Sequence, residues 1–257
     1  GGMVISKRIK SFLRKYQPKN HWHVDELRAY DTYGVLSHHF ETSINTFFSH
    51  FLIENKVESN YKTLIASIWK ERVKAHKIYS EAVPFSDFKV FDFLSQNLPE
   101  NIHLQVSNSS PIRYVQLFDL NSTLEVFCNR GTSGIDGSTS TAIGASIMNE
   151  KPTFFITGDI SFLYDSNALW NSYIPKNFKI IVLNNGGGGI FRILPGHQET
   201  ETFNTFFETS HQLNAVHLAK MYHLNYYSAT DLTSLTSAYS AFINEQNGPS
   251  ILEIFTT

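Results

Sequence analysis

The chain has almost no cysteine and almost no net charge, and both shortages limit what it can be. Cys128 is the only cysteine among 257 residues, which excludes an intrachain disulfide and a thiolate metal cluster. This composition predicts a reducing, cytoplasmic setting. The 21 basic and 23 acidic residues give a net charge of -2, so no electrostatic reason exists to expect a nucleic acid or an anionic membrane as a partner.

Long apolar runs and two common nucleotide-binding motifs are also missing. No apolar run approaches the roughly 20 residues that a transmembrane helix needs, so no membrane-spanning segment is expected. The glycine-rich stretch 129–137 lacks the Gly-Lys-Ser/Thr ending of a Walker loop, and Gly-x-Gly-x-x-Gly is absent from the chain. Neither a Walker-type nucleotide site nor a nicotinamide cofactor is therefore expected.

Glycine and proline are scarce in one region, which marks it off from the rest. Residues 30–83 contain no proline and only Gly34 as glycine. Apolar residues at helical spacing predict one long amphipathic helix over residues 61–82. Several histidines of this region lack the paired spacing with a carboxylate that a metal site needs, so packing or surface roles are favoured for His38, His39, His50 and His76.

From residue 85 onward, apolar strand-like runs alternate with helical patterns. This alternation is typical of an α/β fold, and it predicts a doubly wound, mainly parallel six-stranded sheet with helices on both faces. The expected helices are 85–97, 112–118, 138–148, 215–222 and 232–244, with a further helical stretch after residue 159. The expected strands are 103–107, 125–128, 153–157, 178–183, 226–228 and 251–255.

Two polar clusters stand at the ends of neighbouring expected strands. Gly158-Asp159 ends one strand, Asn184-Asn185 ends the next, and 24 residues (160–183) separate them. In open α/β sheets, the carboxyl ends of the strands are where ligands bind. A carboxylate, an amide oxygen and a loop carbonyl are oxygen ligands suited to Mg²⁺, which completes its coordination with phosphate oxygens. The alternative is a pair of unrelated turns, since both dipeptides are common in turns.

A glycine-rich segment precedes the helix expected from residue 138. Its three glycines, Gly131, Gly134 and Gly137, allow the backbone to approach a ligand closely, and a helix N-terminus favours anions. Asp165, in the helical stretch after Asp159, is interpreted as a cap of that helix and is assigned no chemistry.

Three stretches together resemble one enzyme family. They read NRGTSGIDGSTSTAIGAS, GDISFLYDSNALWN and NNGGGGIFRILP. They resemble the 2-succinyl-5-enolpyruvyl-6-hydroxy-3-cyclohexene-1-carboxylate synthases, the thiamine-diphosphate enzymes of menaquinone biosynthesis. The resemblance is densest over residues 107–195. Ile160 departs from the Gly-Asp-Gly motif of thiamine-diphosphate enzymes at its third residue, a variation that some branches of the superfamily carry.

The resemblance implies a domain organisation. Family members are about twice this length and contain pyrimidine-binding, central and diphosphate-binding domains. By this comparison, residues 1–30 end the central domain, 31–84 form a helical linker, and 85–257 form a diphosphate-binding domain with the thiamine-diphosphate-binding fold.

The resemblance also implies a thiamine-diphosphate site with Mg²⁺ or Mn²⁺. Asp159, Asn185 and the carbonyl of Gly187 would hold the metal. Ile135 would be the apolar wedge that bends the cofactor. The remaining cofactor contacts would come from Asn108, Gly158, Ser161 and Ile190.

Substrate-binding residues follow from the same comparison, and the substrates would be 2-oxoglutarate and isochorismate. Arginine pairs with carboxylates through two parallel hydrogen bonds, which explains its use for such polyanions. The implied residues are Ser109, Arg113, Arg130, Lys7, Arg8, Ile190, Phe191 and Leu194. Three alternatives stay open. Arg113 could be a solvated helix arginine, Lys7 and Arg8 an ordinary basic pair, and the apolar residues Ile135, Ile190 and Phe191 parts of the core.

The implied activity is a transferase that decarboxylates 2-oxoglutarate and adds the succinyl-semialdehyde unit to isochorismate. The family's activating glutamate lies on the pyrimidine-binding domain of a partner subunit, and no position here matches it. No catalytic residue is therefore assigned, the chain alone is predicted to be inactive, and a homo-oligomer (a dimer or a dimer of dimers) is expected. One alternative is another 2-oxoacid decarboxylase or acetolactate synthase-like enzyme, which Arg113 and Arg130 disfavour. Another is a non-catalytic cofactor-binding or dimerisation module.

Overall fold

The computed structural model describes residues 4, 6–50, 58–193, 196 and 198–256. The chain divides into two compact units, Gly1–Ile68 and Trp69–Thr257. Helix α3, Tyr61–Ala82, contains the division and has the bounds that its helical spacing predicts. No helix in the described ranges has both the length and the apolar character needed to cross a membrane.

The first unit contains a small sheet that the sequence did not indicate. After helix α1 (Lys7–Lys15), strands β1 (His21–Val24) and β2 (Leu36–Phe40) pair in parallel, and helix α2 (Ile44–Ser49) follows. Residues 31–84, predicted to be a helical linker, thus include a strand. The strand was missed because β2 is short and two of its five residues are histidines, which weakens the apolar alternation. The proposed domain boundaries stay a prediction.

The second unit is a parallel sheet wrapped by helices, as expected. The strands are β3 (His103–Val106), β4 (Glu125–Cys128), β5 (Thr153–Gly158), β6 (Lys179–Asn184), β7 (Asn225–Ala229) and β8 (Ser250–Phe255). Their order in the sheet is β4-β3-β5-β6-β8-β7, and every neighbouring pair is parallel. The prediction of a six-stranded α/β sheet is confirmed.

Helices connect these strands. They are α4 (Asp87–Asn97), α5 (Ser110–Val115), α6 (Ser138–Ile147), α7 (Asp159–Tyr164), α8 (Val216–Met221) and α9 (Leu232–Asn244). The described part of the unit also contains two 3₁₀ turns, Ser166–Trp170 and Gly189–Ile193, and a π-helix, Phe203–Glu208. The expected helix 232–244 and the expected strand 125–128 have the observed bounds, and the remaining elements expected after residue 85 differ from the observed ones by a few residues.

Each face of the sheet has its own hydrophobic core. Successive residues of a strand point to opposite faces, so Phe154 and Ile156 of β5 enter one core and Phe155 enters the other. The first core includes Val90, Phe91 and Leu94 of α4 with Leu235, Tyr239 and Phe242 of α9. The second includes Ala142 and Ile143 of α6, Phe162 of α7 and Ala219 of α8. Helices thus cover both faces, as the sequence predicts.

The strand order predicts a crevice at the carboxyl ends of β3 and β5. From β3 the chain moves outward to β4, then returns across β3 to β5. The loops that follow β3 and β5 therefore leave the sheet in opposite directions. Such a reversal opens a crevice at the carboxyl ends of the strands, where open α/β sheets bind ligands.

A buried carboxylate fixes the strands beside this crevice. Glu253 of β8 is 1% exposed, and its carboxylate accepts hydrogen bonds from Asn184 Nδ2 (2.7 Å), the Ala215 amide (2.9 Å) and the Tyr226 hydroxyl (2.7 Å). Burial, together with the hydrogen bond to Glu253, raises the pKa of Tyr226 well above its usual range. One side chain thus connects β6, β7 and the segment before α8.

Replacing this carboxylate should destabilise the fold. Glu253→Ala removes the acceptor of three donors, of which Asn184 and Ala215 are buried and Tyr226 is partly buried, and each unpaired buried group costs about 1–3 kcal/mol, so we expect a loss of about 2 kcal/mol or more. Urea denaturation measures the free energy of unfolding. Glu71→Ala, on the exposed surface of α3, is the control and should change it by less than about 0.5 kcal/mol. Equal stability of the two variants would contradict this role for Glu253.

Candidate active site

The ends of β5 and β6 bring the two polar clusters together. Gly158 pairs in register with Leu183, so Asp159 and the Asn184-Asn185 turn leave adjacent strands side by side. Asp159 Oδ2 accepts hydrogen bonds from the amides of Gly186 (2.9 Å) and Gly187 (3.0 Å). The two halves of the predicted metal motif are therefore joined directly by hydrogen bonds.

Asp159 carries a charge that its surroundings only partly compensate. The residue is 4% exposed, and burial raises the pKa of its carboxyl group against the opposing effects of hydrogen bonds and of His211. Its hydrogen bonds come from neutral backbone amides, including that of Ile160 at 2.7 Å. In the described part of the chain, no lysine or arginine forms an ion pair with it. A buried carboxylate of this kind is stabilised by a bound cation.

His211 is a neighbour of Asp159 that sequence reasoning missed. Its Nε2 lies 3.2 Å from Asp159 Oδ2. Its Nδ1 accepts a hydrogen bond from the Leu213 amide at 3.1 Å, and its buried Nε2, although close to the carboxylate, makes no hydrogen bond within the described residues. No motif marks this histidine, because the chain reaches it only after the loop and π-helix that follow β6.

The turn after β6 supplies neutral oxygens. Asn185 is exposed, and its Nδ2 donates to Asp87 Oδ2 at 2.9 Å, which leaves Oδ1 as the free end of the amide. Gly187 is buried at a φ of 156°, and a Cβ there would lie 2.9 Å from the Glu208 carbonyl oxygen, so the turn requires glycine. The Gly187 carbonyl accepts one hydrogen bond, from the Gly189 amide, and retains a second lone pair.

The donor set suits a divalent cation bound together with an anion. No three histidine, cysteine, aspartate or glutamate residues cluster as metal ligands in the described ranges. A metal beside Asp159 would thus take one carboxylate and neutral oxygens from Asn185 and Gly187. One carboxylate leaves a doubly charged cation with net positive charge, which favours phosphate oxygens as the remaining ligands.

Side chains that follow β3 and β5 form hydrogen bonds with the glycine-rich loop before α6. Ser161 Oγ donates to the Ile135 carbonyl at 2.5 Å, and Asn108 Nδ2 donates to the Gly134 carbonyl at 3.0 Å. Arg130 in turn donates to Asn108 Oδ1. These bonds hold the half-buried Ile135 at the crevice. The donors of Ser161 and Asn108 are used within the protein, and their cofactor contacts stay a prediction.

Asp165 is the C-cap residue of α7, and its side chain also caps α6. Its carboxylate accepts from the Ser140 amide and the Ser140 hydroxyl, both at 2.7 Å, and Ser140 lies in the first turn of α6. It makes no side-chain capping bond to the 3₁₀ turn that follows it. The expectation that Asp165 caps the helix after Asp159 is confirmed at the C-terminal end of α7, where the Asp165 amide donates to the Phe162 carbonyl. The side-chain cap of α6 was not expected, because only the packing of α7 on α6 brings the first turn of α6 to this carboxylate.

Two arginines come together at the ends of β3 and β4. Arg113 is exposed on α5, but partial desolvation lowers the pKa of its guanidinium, and the nearby positive charge of Arg130 lowers it further. Arg113 Nη1 donates to the Ser109 carbonyl at 2.5 Å. Ser109, the residue immediately before α5, has a φ of 75°. This backbone conformation is unusual for a residue other than glycine, and such strain is concentrated at functional sites. Two close guanidinium groups repel each other, so an anion between them would be stabilised.

The segment after the glycine-rich turn packs against the π-helix. Ile190 and Phe191 lie in the 3₁₀ turn Gly189–Ile193 and are partly buried. The Phe191 ring meets the Phe207 ring edge to face at 6.0 Å. Arg192 forms ion pairs with Glu208 and Glu199. Leu194, predicted to line the same pocket, lies outside the described residues.

Lys7 and Arg8 are not part of this unit. Both begin α1 in the first unit, where Arg8 is exposed. The Lys7 side chain lies outside the described part of the chain. Their contact with isochorismate stays a prediction.

Comparisons with known proteins agree with this geometry. Residues 109–254, more than half of the chain, match the family described as "Thiamine pyrophosphate enzyme, C-terminal TPP binding domain". The whole chain is 60% identical to a protein of Flavobacterium johnsoniae, 61% to one of Flavobacterium psychrophilum and 49% to one of Christiangramia forsetii. All three relatives are named 2-succinyl-5-enolpyruvyl-6-hydroxy-3-cyclohexene-1-carboxylate synthase.

The chain matches only part of the length of each relative. All 257 residues of this chain align, but they span 46%, 46% and 44% of the three relatives, about half of their length. The resemblance seen in the sequence is confirmed. Matched over more than half of its length, the chain belongs to the thiamine pyrophosphate enzymes and carries their C-terminal cofactor-binding domain.

Proposed function

We propose that this chain is the diphosphate-binding part of a transferase that decarboxylates 2-oxoglutarate and adds the succinyl-semialdehyde unit to isochorismate. The observation that carries the proposal is the buried Asp159 carboxylate, bound to the Asn-Asn-Gly turn at the ends of two adjacent strands. The printed names of the relatives support the choice of reaction.

In this proposal, the metal is Mg²⁺ or Mn²⁺, and Asp159, Asn185 Oδ1 and the Gly187 carbonyl hold it. Thiamine diphosphate, when bound, supplies the carbanion chemistry of the reaction. The protein supplies binding and orientation. Gly158 and Ser161 lie beside the metal ligands on β5 and α7, and the loop that Ser161 and Asn108 hold presents Ile135 to the cofactor.

In this proposal, the two arginines bind the carboxylates of the substrate. 2-Oxoglutarate has two carboxylates, and Arg113 and Arg130 supply two positive charges at the crevice, with Ser109 between β3 and α5. Arginine binds a carboxylate through two hydrogen bonds, which fixes its orientation as well as its position. Lys7 and Arg8 are proposed to face isochorismate, and Ile190, Phe191 and Leu194 to form the apolar part of the pocket.

The proposed enzyme divides its work between two parts. This chain binds and orients, and the activating glutamate belongs to a pyrimidine-binding domain of a partner subunit. The functional unit is therefore a homo-oligomer, a dimer or a dimer of dimers. A cytoplasmic location fits the single cysteine, Cys128, which is partly buried.

The first prediction tests the metal ligand. Asp159→Asn keeps the shape of the side chain but removes its charge, so metal-dependent binding of thiamine diphosphate should be lost in the complete protein. Calorimetric titration of the cofactor, with and without Mg²⁺, measures this. Asp119→Asn, an exposed aspartate, is the control and should bind as the unaltered protein does. Unchanged cofactor affinity in Asp159→Asn would exclude Asp159 as a ligand.

The second prediction tests the substrate arginine. Arg113→Ala in the complete protein should raise the KM for 2-oxoglutarate by about 10- to 150-fold, since a lost hydrogen bond to a charged group costs about 1.5–3 kcal/mol. The dissociation constant of the cofactor should change little. Arg72→Ala on the exposed surface of α3 serves as the control. If only cofactor affinity changes, Arg113 belongs to the diphosphate site instead.

The third prediction concerns the chain by itself. It should bind thiamine diphosphate weakly and show neither decarboxylation nor addition, because no activating glutamate is present. It should also self-associate, since exposed apolar side chains such as Phe206 and Phe207, 76% and 53% exposed, promote association. Enzyme assays and light scattering measure these properties. Turnover by the isolated chain would mean that one of its own carboxylates performs the activation.

A further inference from the structure

The amide of Asn185 is held in one orientation by a residue far away in the sequence. Its Nδ2 donates a hydrogen bond to Asp87 Oδ2 at 2.9 Å, across 98 residues of chain. Asp87 lies in the first turn of α4, where a negative charge is favoured by the helix dipole. Neither the metal motif nor the glycine-rich loop includes this aspartate.

Asp87 is itself fixed from the other side. Its Oδ1 accepts a hydrogen bond from the Thr256 hydroxyl at 2.5 Å. The Thr256 amide donates to the Asn184 carbonyl at 3.0 Å, which continues the pairing of β8 with β6 beyond the strand ends. Both carboxylate oxygens of Asp87 are thus engaged, and the sheet determines the position of Thr256.

This arrangement selects one of the two ends of the Asn185 amide. A carboxylate accepts hydrogen bonds but donates none, so the end of the amide facing Asp87 must be the NH₂ group. The oxygen then points away from Asp87. A cation binds an amide only through oxygen, because the NH₂ group presents hydrogens and no available lone pair. A rotated amide would therefore not serve as a metal ligand.

We propose that Asp87 is the positioning residue of the metal site, holding the Asn185 amide so that its oxygen faces the metal. The inference rests on the proposed function, in which Asn185 is a ligand. Asp87 does not touch the metal in this account and acts only through Asn185. Partners of this kind commonly change metal affinity by about 10- to 100-fold when they are removed.

The experiment is a titration of the complete protein with Mn²⁺ in the presence of thiamine diphosphate, followed by the electron paramagnetic resonance signal of free Mn²⁺. Asp87→Ala should raise the dissociation constant of Mn²⁺ about 10-fold or more. The matched control is Asp92→Ala in the same helix, which removes the same charge and a hydrogen bond from Gln96 (2.9 Å). It should bind Mn²⁺ as the unaltered protein does.

A second background separates positioning from a general structural role. In Asn185→Asp, the ligand has two equivalent oxygens and needs no orienting partner, while Asp87 then repels it. Asp87→Ala in this background should leave Mn²⁺ affinity unchanged or improve it. The double variant Asp87→Asn/Asn185→Asp restores a hydrogen bond between the two residues, and it should bind Mn²⁺ more tightly than Asn185→Asp alone.

The possible outcomes decide between the inference and the proposed function. If Asp87→Ala weakens Mn²⁺ binding equally in both backgrounds, or changes it less than twofold in the natural one, the positioning role is wrong. Asp159→Asn, measured in parallel, tests the metal site itself, and its unchanged affinity would overturn the proposed function instead. If Asp87→Ala does not fold, Thr256→Val replaces it. Loss of the hydroxyl that fixes Asp87 should raise the dissociation constant severalfold, and an unchanged value would refute the inference.

Discussion

The hydrogen bonds between the Asp159 carboxylate and the amides of Gly186 and Gly187 are the contact on which the site depends. They join the segments that leave β5 and β6, and they do so with a carboxylate that is almost completely buried. The turn can approach this closely because Gly187 adopts a backbone conformation and a proximity to Glu208 that a side chain would not permit. The same carboxylate that shapes the turn is also the one charged oxygen donor proposed for the metal.

Charge is distributed along the crevice in a way that suits anionic ligands. Asp159 lies at the ends of the central strands, while Arg113 and Arg130 lie at the ends of β3 and β4. Burial raises the pKa of Asp159, while partial desolvation and the neighbouring Arg130 lower that of the exposed Arg113, so both charged forms are disfavoured. A cation beside the first and an anion beside the second would relieve both costs, which is the physical reason to place a metal-bound diphosphate and a dicarboxylate there.

Several polar side chains in this site form hydrogen bonds within the protein. Asn108 and Ser161 donate to carbonyls of the glycine-rich loop, and Asp165 caps the helix that this loop begins. Glu253 accepts hydrogen bonds from β6, from β7 and from the segment before α8. A loop with three glycines has little stiffness of its own, so these contacts are what hold Ile135 in place. Residues proposed to bind ligands and residues that support the loop therefore alternate within the same short motifs.

The sequence by itself determined the α/β fold, the long helix α3, the strand pattern after residue 85 and the pairing of Asp159 with the Asn184-Asn185 turn. These features depend on local periodicity and on motifs that lie within one strand-helix-strand unit, which a sequence displays directly. The strand β2, the side-chain cap that Asp165 gives α6, and the contacts of His211 with Asp159 and of Asp87 with Asn185 were decided only by the tertiary structure. His211 contacts Asp159, and Asp87 contacts Asn185, because the folding of loops and the order of strands bring distant segments to the carboxyl ends of the central strands. Periodicity specifies which face of a strand is buried, but it does not specify which strand lies beside which, so contacts of this kind leave no local signal.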